Sequence, residues 1–185
     1  EEGRAGPAVS ADASVLGKAY YKEADVVMVQ WARGPELMIS TRRMDSSLSN
    51  NAFNRIEESY GDAHNLRGRY PLAAIGYVMV LRGSALLDSP AAAERLIDLV
   101  GKLGQDDAGY TATCVLIADW DDAAAARGDA VVRLNERRVP EPMRAGPFMQ
   151  SMIETVLANS PVDTHREARR ILRGGDLAVV DEELI

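Results

Sequence analysis

The chain has 185 residues, 46% of them apolar and 26% charged, with 15 Gly, 8 Pro and one Cys, which is the make-up of a single ordinary globular domain. Its longest apolar runs, such as Ala73 to Leu81, are bounded by Arg, Pro or Asp and fall short of the ~18 residues a bilayer crossing needs, so a membrane-spanning helix is excluded. A lone Cys114 supplies neither an intrachain disulfide nor a cysteine zinc site and points to a reducing, cytoplasmic setting, while 21 Lys+Arg against 28 Asp+Glu leave a net charge of -7 that disfavours non-specific binding to a polyanion. Any role on nucleic acid must therefore rest on local clusters of Arg.

Residues 1–10 carry Gly, Pro and Ala without apolar periodicity and read as a disordered arm ahead of one domain over 11–185. Val15, Leu16, Ala19 and Tyr20 recur at helical spacing behind the caps Ser10 and Asp12, which predicts a helix ending before Ala24. The β-branched run Asp25 to Trp31, the turn signal Arg33-Gly34-Pro35 and the run Leu37 to Thr41 predict a hairpin. A polar loop, Asp45 to Asn51, opens a helix from about Asn51 to Arg69 that stops at Tyr70-Pro71, with Phe53, Ile56, Tyr60 and Ala63 as its apolar face. Pro71 to Arg82 reads as a buried central strand, Pro90 to Leu103 as an amphipathic helix and Thr111 to Ala118 as another strand. Ala130 to Leu134 predicts a short edge strand, and Pro147 to Leu157 and Asp163 to Leu172 predict a helical C-terminal part. The order implies an α/β fold, a mixed central β-sheet flanked by helices.

Polar side chains concentrate between Asp25 and Arg69. On a helical wheel Asn54, Glu58, Asp62, Asn65 and Arg69 form one stripe, read as solvated, while Glu57 sits beside the apolar sector and is expected at the sheet margin. A carboxylate placed there is costly unless it is paired or holds a metal, which makes Glu57 a stronger candidate than Glu58. An ion pair between Glu57 and Arg43 is its structural alternative.

The hairpin followed by helix and strand, with Asp25 at the start of the first hairpin strand, resembles the PD-(D/E)XK nuclease superfamily, the restriction-endonuclease-like fold, over roughly residues 11–120. Met44 to Ser47, Asn54 to Ala63 and Asn65 to Arg69 also look like stretches of such bacterial and phage proteins. In that family an Asp on one hairpin strand and an acidic-X-Lys triplet on the next bind Mg²⁺ or Mn²⁺. Here Ser40-Thr41-Arg42 or Thr41-Arg42-Arg43 stands where the triplet is expected, and alternation leaves open which pair faces the site. One branch of restriction enzymes uses Ser/Thr-X-Lys and moves the carboxylate to the following helix, where Glu57 or Glu58 is the counterpart. The resemblance implies Asp25 and Glu57 as metal ligands, Ser40 as an added oxygen, and Arg42 or Arg43 at the scissile phosphate. Arg holds its proton and cannot act as a base, so its help there is electrostatic.

Arg55, Arg67 and Arg69, with Ser46, Ser47 and Asn50, are the expected contacts to the DNA backbone. The implied activity is metal-dependent DNA cleavage in restriction or phage defence, by a homodimer because such enzymes cut both strands. The competing reading is an inactive nuclease fold that serves as a DNA-binding or protein-interaction module, favoured by the net charge and by Arg at the Lys position. Outside this segment the residues suggest structural roles. Asp119, Asp121 and Asp122 read as a helix cap, His64 and His165 as polar contacts, and Trp31 and Trp120 as packing.

Overall fold

The computed structural model describes residues 13–45 and 48–174. The predicted N-terminal arm and Ser46-Ser47 lie outside the described residues. The predicted helix before Ala24 does not form: β1 (Ala13–Leu16) and β2 (Tyr21–Ala24) make an antiparallel two-stranded sheet, with Ala13 opposite Ala24 and Leu16 opposite Tyr21. The cause is tertiary. The Gly17-to-Tyr20 turn is capped by Asn65 from a distant helix, whose Oδ1 accepts from the amides of Ala19 and Tyr20 at 2.8 and 3.3 Å and whose Nδ2 donates to the Tyr20 carbonyl at 3.0 Å. Only Gly fits at position 17, because a Cβ there would lie 2.1 Å from Asn65 Nδ2.

The predicted hairpin is present as β3 (Val26–Gln30) and β4 (Gly34–Met44), which pair antiparallel with Val26 opposite Ile39 and a register shift between Met28 and Val29. Gly34, at φ 79°, makes the tight return that an L side chain would strain. Helix α1 (Leu48–Arg67) crosses to β5 (Ala74–Arg82), which lies parallel to β4; α2 (Gly83–Asp88) and α3 (Pro90–Leu103) cross to β6 (Ala112–Asp119), parallel to β5. After α4 (Asp122–Arg127), the two-residue β7 (Arg133–Leu134) pairs antiparallel with β6 and completes a five-stranded mixed sheet of order β3-β4-β5-β6-β7. Two helices end the described chain, α5 (Ala145–Asn159) and α6 (Arg166–Gly174).

The sheet is covered on both faces, as an α/β pattern with apolar parallel strands requires. On one face Met38, Ile75, Tyr77, Met79, Leu81 and Val115 pack with Leu48, Ala63 and Leu66 of α1 and Leu96 and Val100 of α3. On the other, Ile39, Val78 and Cys114 pack against Phe148, Met152 and Val156 of α5. No helix among the described residues is long and apolar enough to cross a membrane.

Trp31 does not pack; it is fully exposed at the β3–β4 turn. The buried side of α1 also differs from the predicted one. Leu48, Ala52, Ser59, Asp62, Ala63, Asn65 and Leu66 are buried, whereas Phe53 and Tyr60 are exposed, because α1 packs against the sheet and the β1–β2 hairpin together.

Candidate functional site

Asp25 is the one residue between β2 and β3. Its amide donates to the Ile39 carbonyl at 3.0 Å, and its Oδ2 accepts from the Thr41 amide at 2.6 Å. The exposed carboxylate is thereby held against the middle of Ser40-Thr41-Arg42. Alternation along β4 settles which of these side chains share a face: Met38 and Met44 join the α1-side cluster and Ile39 the α5-side cluster, so Ser40 and Arg42 lie under α1 while Thr41 and Arg43 lie opposite.

Ser40 is buried and Arg42 half-buried, with one Arg42 Nη donating to the Thr41 carbonyl at 2.9 Å. Arg42 lies within electrostatic reach of two buried phenols. Burial pushes the pKa of Tyr77 up, against the opposing influence of Arg42 and Arg55 and with that of Glu58; burial raises Tyr110 likewise, with Asp62 adding and Arg42 opposing. Among the described residues the Tyr77 hydroxyl lies beside Ser59 without a hydrogen bond of normal geometry, while that of Tyr110 donates to the Ser59 carbonyl at 3.0 Å. Arg42, Ser59 and Glu58 thus neighbour the two tyrosines between β4 and α1, while Asp25 is held at the β3 side of β4 against Thr41.

Glu57 is not part of it. With 100° per residue, Glu57 sits half a turn from the Leu48-Ser59-Leu66 line that faces the sheet and is exposed rather than at the sheet margin, and Arg43 pairs with Asp45 instead of with it. Of the expected apolar face, Ala63 is buried and Ile56 packs at the edge of the core, while Phe53 and Tyr60 are exposed. Glu58 flanks the sheet side, exposed, and accepts from Arg55 at 2.9 Å. Asp62, read as solvated, is instead buried, paired with Lys22 Nζ at 2.5 Å and accepting from the Tyr20 hydroxyl at 3.0 Å.

The arginines expected at DNA are divided. Arg43 turns away to bind Asp45 through both guanidinium edges, with Nε to Oδ1 at 2.7 Å, and lies 5.2 Å from the Trp120 ring centre; the hydrogen bond from Arg43 holds the Asp45 pKa below its ordinary value. Arg67 is a structural residue. It donates to the carbonyls of Gly109, Pro71 and Ala73 at 3.2, 3.1 and 2.7 Å and to Thr111 Oγ1 at 2.9 Å, tying the end of α1 to the starts of β5 and β6, and burial lowers its pKa. Arg69 is exposed above the Tyr70 ring. Arg67 and Arg69 thus stand at the far end of a 20-residue helix, about 30 Å from its first turn. Ser46, Ser47 and the Asn50 side chain lie outside the described residues.

Among the described residues no group of three or more His, Cys, Asp or Glu converges as a metal site. The oxygens at hand are hard donors: the Asp25 oxygen left free by Thr41, the Ser40 hydroxyl and the Glu58 carboxylate. Hard oxygens of this kind are the donors that Mg²⁺ takes, usually one or two carboxylates together with waters and substrate phosphate oxygens, and Glu58 is already paired with Arg55.

Beyond the expected residues, the carboxyl ends of the parallel strands carry a second polar cluster. Arg82 donates to Asp122 at 2.6 Å and lies 4.5 Å from the Trp120 ring centre, and Trp120 Nε1 donates to Asp122 at 3.1 Å. Asp121 caps α4 as expected, accepting from the Ala124 amide at 2.7 Å. His64 binds Asp106 and His165 binds Glu36, each at 2.9 Å, both as polar contacts. Comparison of the chain with family models, with curated proteins and with solved structures gives no match.

Proposed function

We propose that the chain is a Mg²⁺-dependent DNA endonuclease whose site lies at the β4–α1 margin, with Asp25 and Glu58 as its carboxylates, Ser40 as an added oxygen and Arg42 as the phosphate-binding cation. One observation carries this reading: the Asp25 carboxylate is fastened to the Thr41 amide, which sets an exposed acid beside the strand that bears Ser40 and Arg42. A hairpin acid next to a polar second strand, followed by a helix and a parallel strand, is the arrangement that the sequence resemblance implies for a nuclease.

A divalent cation supplies a water of lowered pKa and neutralises charge on the phosphate. Asp25 contributes a fixed negative oxygen that needs no reorganisation, because the backbone already orients it. Arg42, half-buried and permanently charged, stabilises negative charge on the phosphate but takes no proton. The reading therefore gives the water, and not the protein, the task of losing the proton to solvent.

The test is incubation of the full chain with plasmid DNA and Mg²⁺ or Mn²⁺ beside Asp25→Ala, Glu58→Ala and Glu57→Ala. Cleavage falling on the order of 100-fold in Asp25→Ala and Glu58→Ala but persisting in Glu57→Ala is the expected result. Absence of cleavage by the unaltered chain overturns it. A second reading, a nuclease fold that binds DNA without cutting it, draws on the Arg55–Glu58 pair, which occupies the helix carboxylate, and on Arg at the Lys position. It predicts a gel shift without cleavage, and cleavage restored by Arg42→Lys.

A further inference from the structure

Most arginines of this chain are already engaged. Arg43, Arg55, Arg82 and Arg170 are paired with carboxylates, and Arg67 and Arg169 are spent on backbone carbonyls. The segment from Arg127 to Arg138 differs. It holds four arginines against Asp129 and Glu136, a net of +2 within a chain of net -7. Apart from half-buried Ala130, every residue of it is exposed. Arg127 reaches Asp129 at 3.6 Å, but no carboxylate of the described residues lies within 4.0 Å of Arg133, Arg137 or Arg138, and Asp119, opposite Arg133 in register, leaves it unpaired.

The segment is also anchored. Arg133 and Leu134 pair with β6, the Asn135 amide donates to the Ile117 carbonyl at 2.8 Å, the Arg137 amide donates to Asn135 Oδ1 at 3.2 Å, and Val139 is buried. Three arginines without a carboxylate partner are thus carried on a short anchored stretch, Arg133 in β7 and Arg137 and Arg138 just after it. That stretch lies four strand spacings, about 19 Å, across the sheet from β3, beside which Asp25 stands, and about 20 Å further along the strands, since Asp25 is level with Thr113 and Arg133 with Asp119. Across and along the sheet together the separation is about 27 Å, the rise of roughly eight base pairs, so one duplex is long enough to be touched at both places.

We infer that Arg133, Arg137 and Arg138 grip the phosphate backbone of duplex DNA and hold it across the sheet from Asp25. This rests on the nuclease reading for its ligand, and it moves the DNA-gripping arginines from α1, where the sequence pattern suggested them, to the β7 edge. Phosphate recognition by exposed, uncompensated Arg is independent of base sequence and falls steeply with salt.

The test is fluorescence anisotropy of a labelled 25-base-pair duplex with the full chain, in the absence of divalent cations, over a salt series. The triple variant Arg133→Gln, Arg137→Gln, Arg138→Gln is compared with the unaltered chain, with Asp25→Ala and with Arg170→Gln. The expected result is at least 10-fold weaker binding by the triple variant and a log K against log salt slope shallower by about 2.7, or ~0.9 for each lost phosphate contact. Arg170→Gln binds as the unaltered chain does, Asp25→Ala, which removes a negative charge beside the DNA, binds no more weakly, and a thermal melt of the triple variant confirms that it is folded. Equal affinity and slope for a folded triple variant overturn the inference while leaving the nuclease reading intact, provided that Asp25-dependent cleavage is seen. An unaltered chain that neither binds nor cuts DNA overturns both.

Discussion

Asn65 makes three hydrogen bonds to the Gly17-to-Tyr20 turn through a buried amide, whose carbonyl accepts twice and whose NH2 donates once. Truncation leaves the amides of Ala19 and Tyr20 without their side-chain acceptor, while the Tyr20 carbonyl keeps the Gly17 amide, so Asn65→Ala is expected to cost ~1–3 kcal/mol, read as a lower urea midpoint at an unchanged m-value. An effect below about 0.5 kcal/mol would mean that the turn holds itself. The same residue shows where residue-level reading stops. Asn65 and Asp62 lie on a polar stripe of α1, and a polar stripe is ordinarily solvated; here it is covered by a hairpin whose own polar groups it satisfies. Asp25 was legible for the opposite reason, since an acid at the start of a β-branched run is marked by its immediate neighbours.

At the scale of elements, the β3–β4 hairpin and the alternation of helix and parallel strand after it follow from local patterning, because β-branched runs and turn residues act over a few positions. The β1–β2 hairpin does not. Its spacing fits a helix, and contacts from α1, the Asn65 cap 45 or 46 residues away together with Asp62, hold the extended pair. Packing of α5 on β5 also depends on a distant fit: a Cβ on Gly76 would come within 2.7 Å of the Phe148 ring and 3.0 Å of the Met152 methyl. Gly76→Ala should therefore destabilise by ~1–3 kcal/mol through overpacking, and the pair Gly76→Ala, Phe148→Leu should recover part of the loss in the same thermal melts. Equal losses in the single and double variants would show that the helix is free to shift.

For the molecule as a whole, buried neutral acids set an alkaline limit. Burial raises the Cys114 thiol from 9.0 to about 11, so the folded form keeps a proton that the unfolded chain releases. The resulting stability is fully present below pH 9 and is lost as pH rises towards 11, at up to about 1.4 kcal/mol per pH unit, with the buried phenols of Tyr77 and Tyr110 extending the trend above pH 10. Urea unfolding at pH 8, 9 and 10 should show this decline, and Cys114→Ala should flatten it between pH 9 and 10; an unchanged slope would place the titration elsewhere. An α/β chain with a mixed sheet, a hairpin bearing Asp25, and Ser40 and Arg42 in one alternating set were all readable from neighbouring residues, because strand and helix periods are local properties. Which side of α1 is buried, which arginines are already paired, and whether residues 13–24 are helix or hairpin were decided only by contacts between segments far apart in the chain. Those contacts depend on where the whole sheet sets each element, and no short window of residues contains that information.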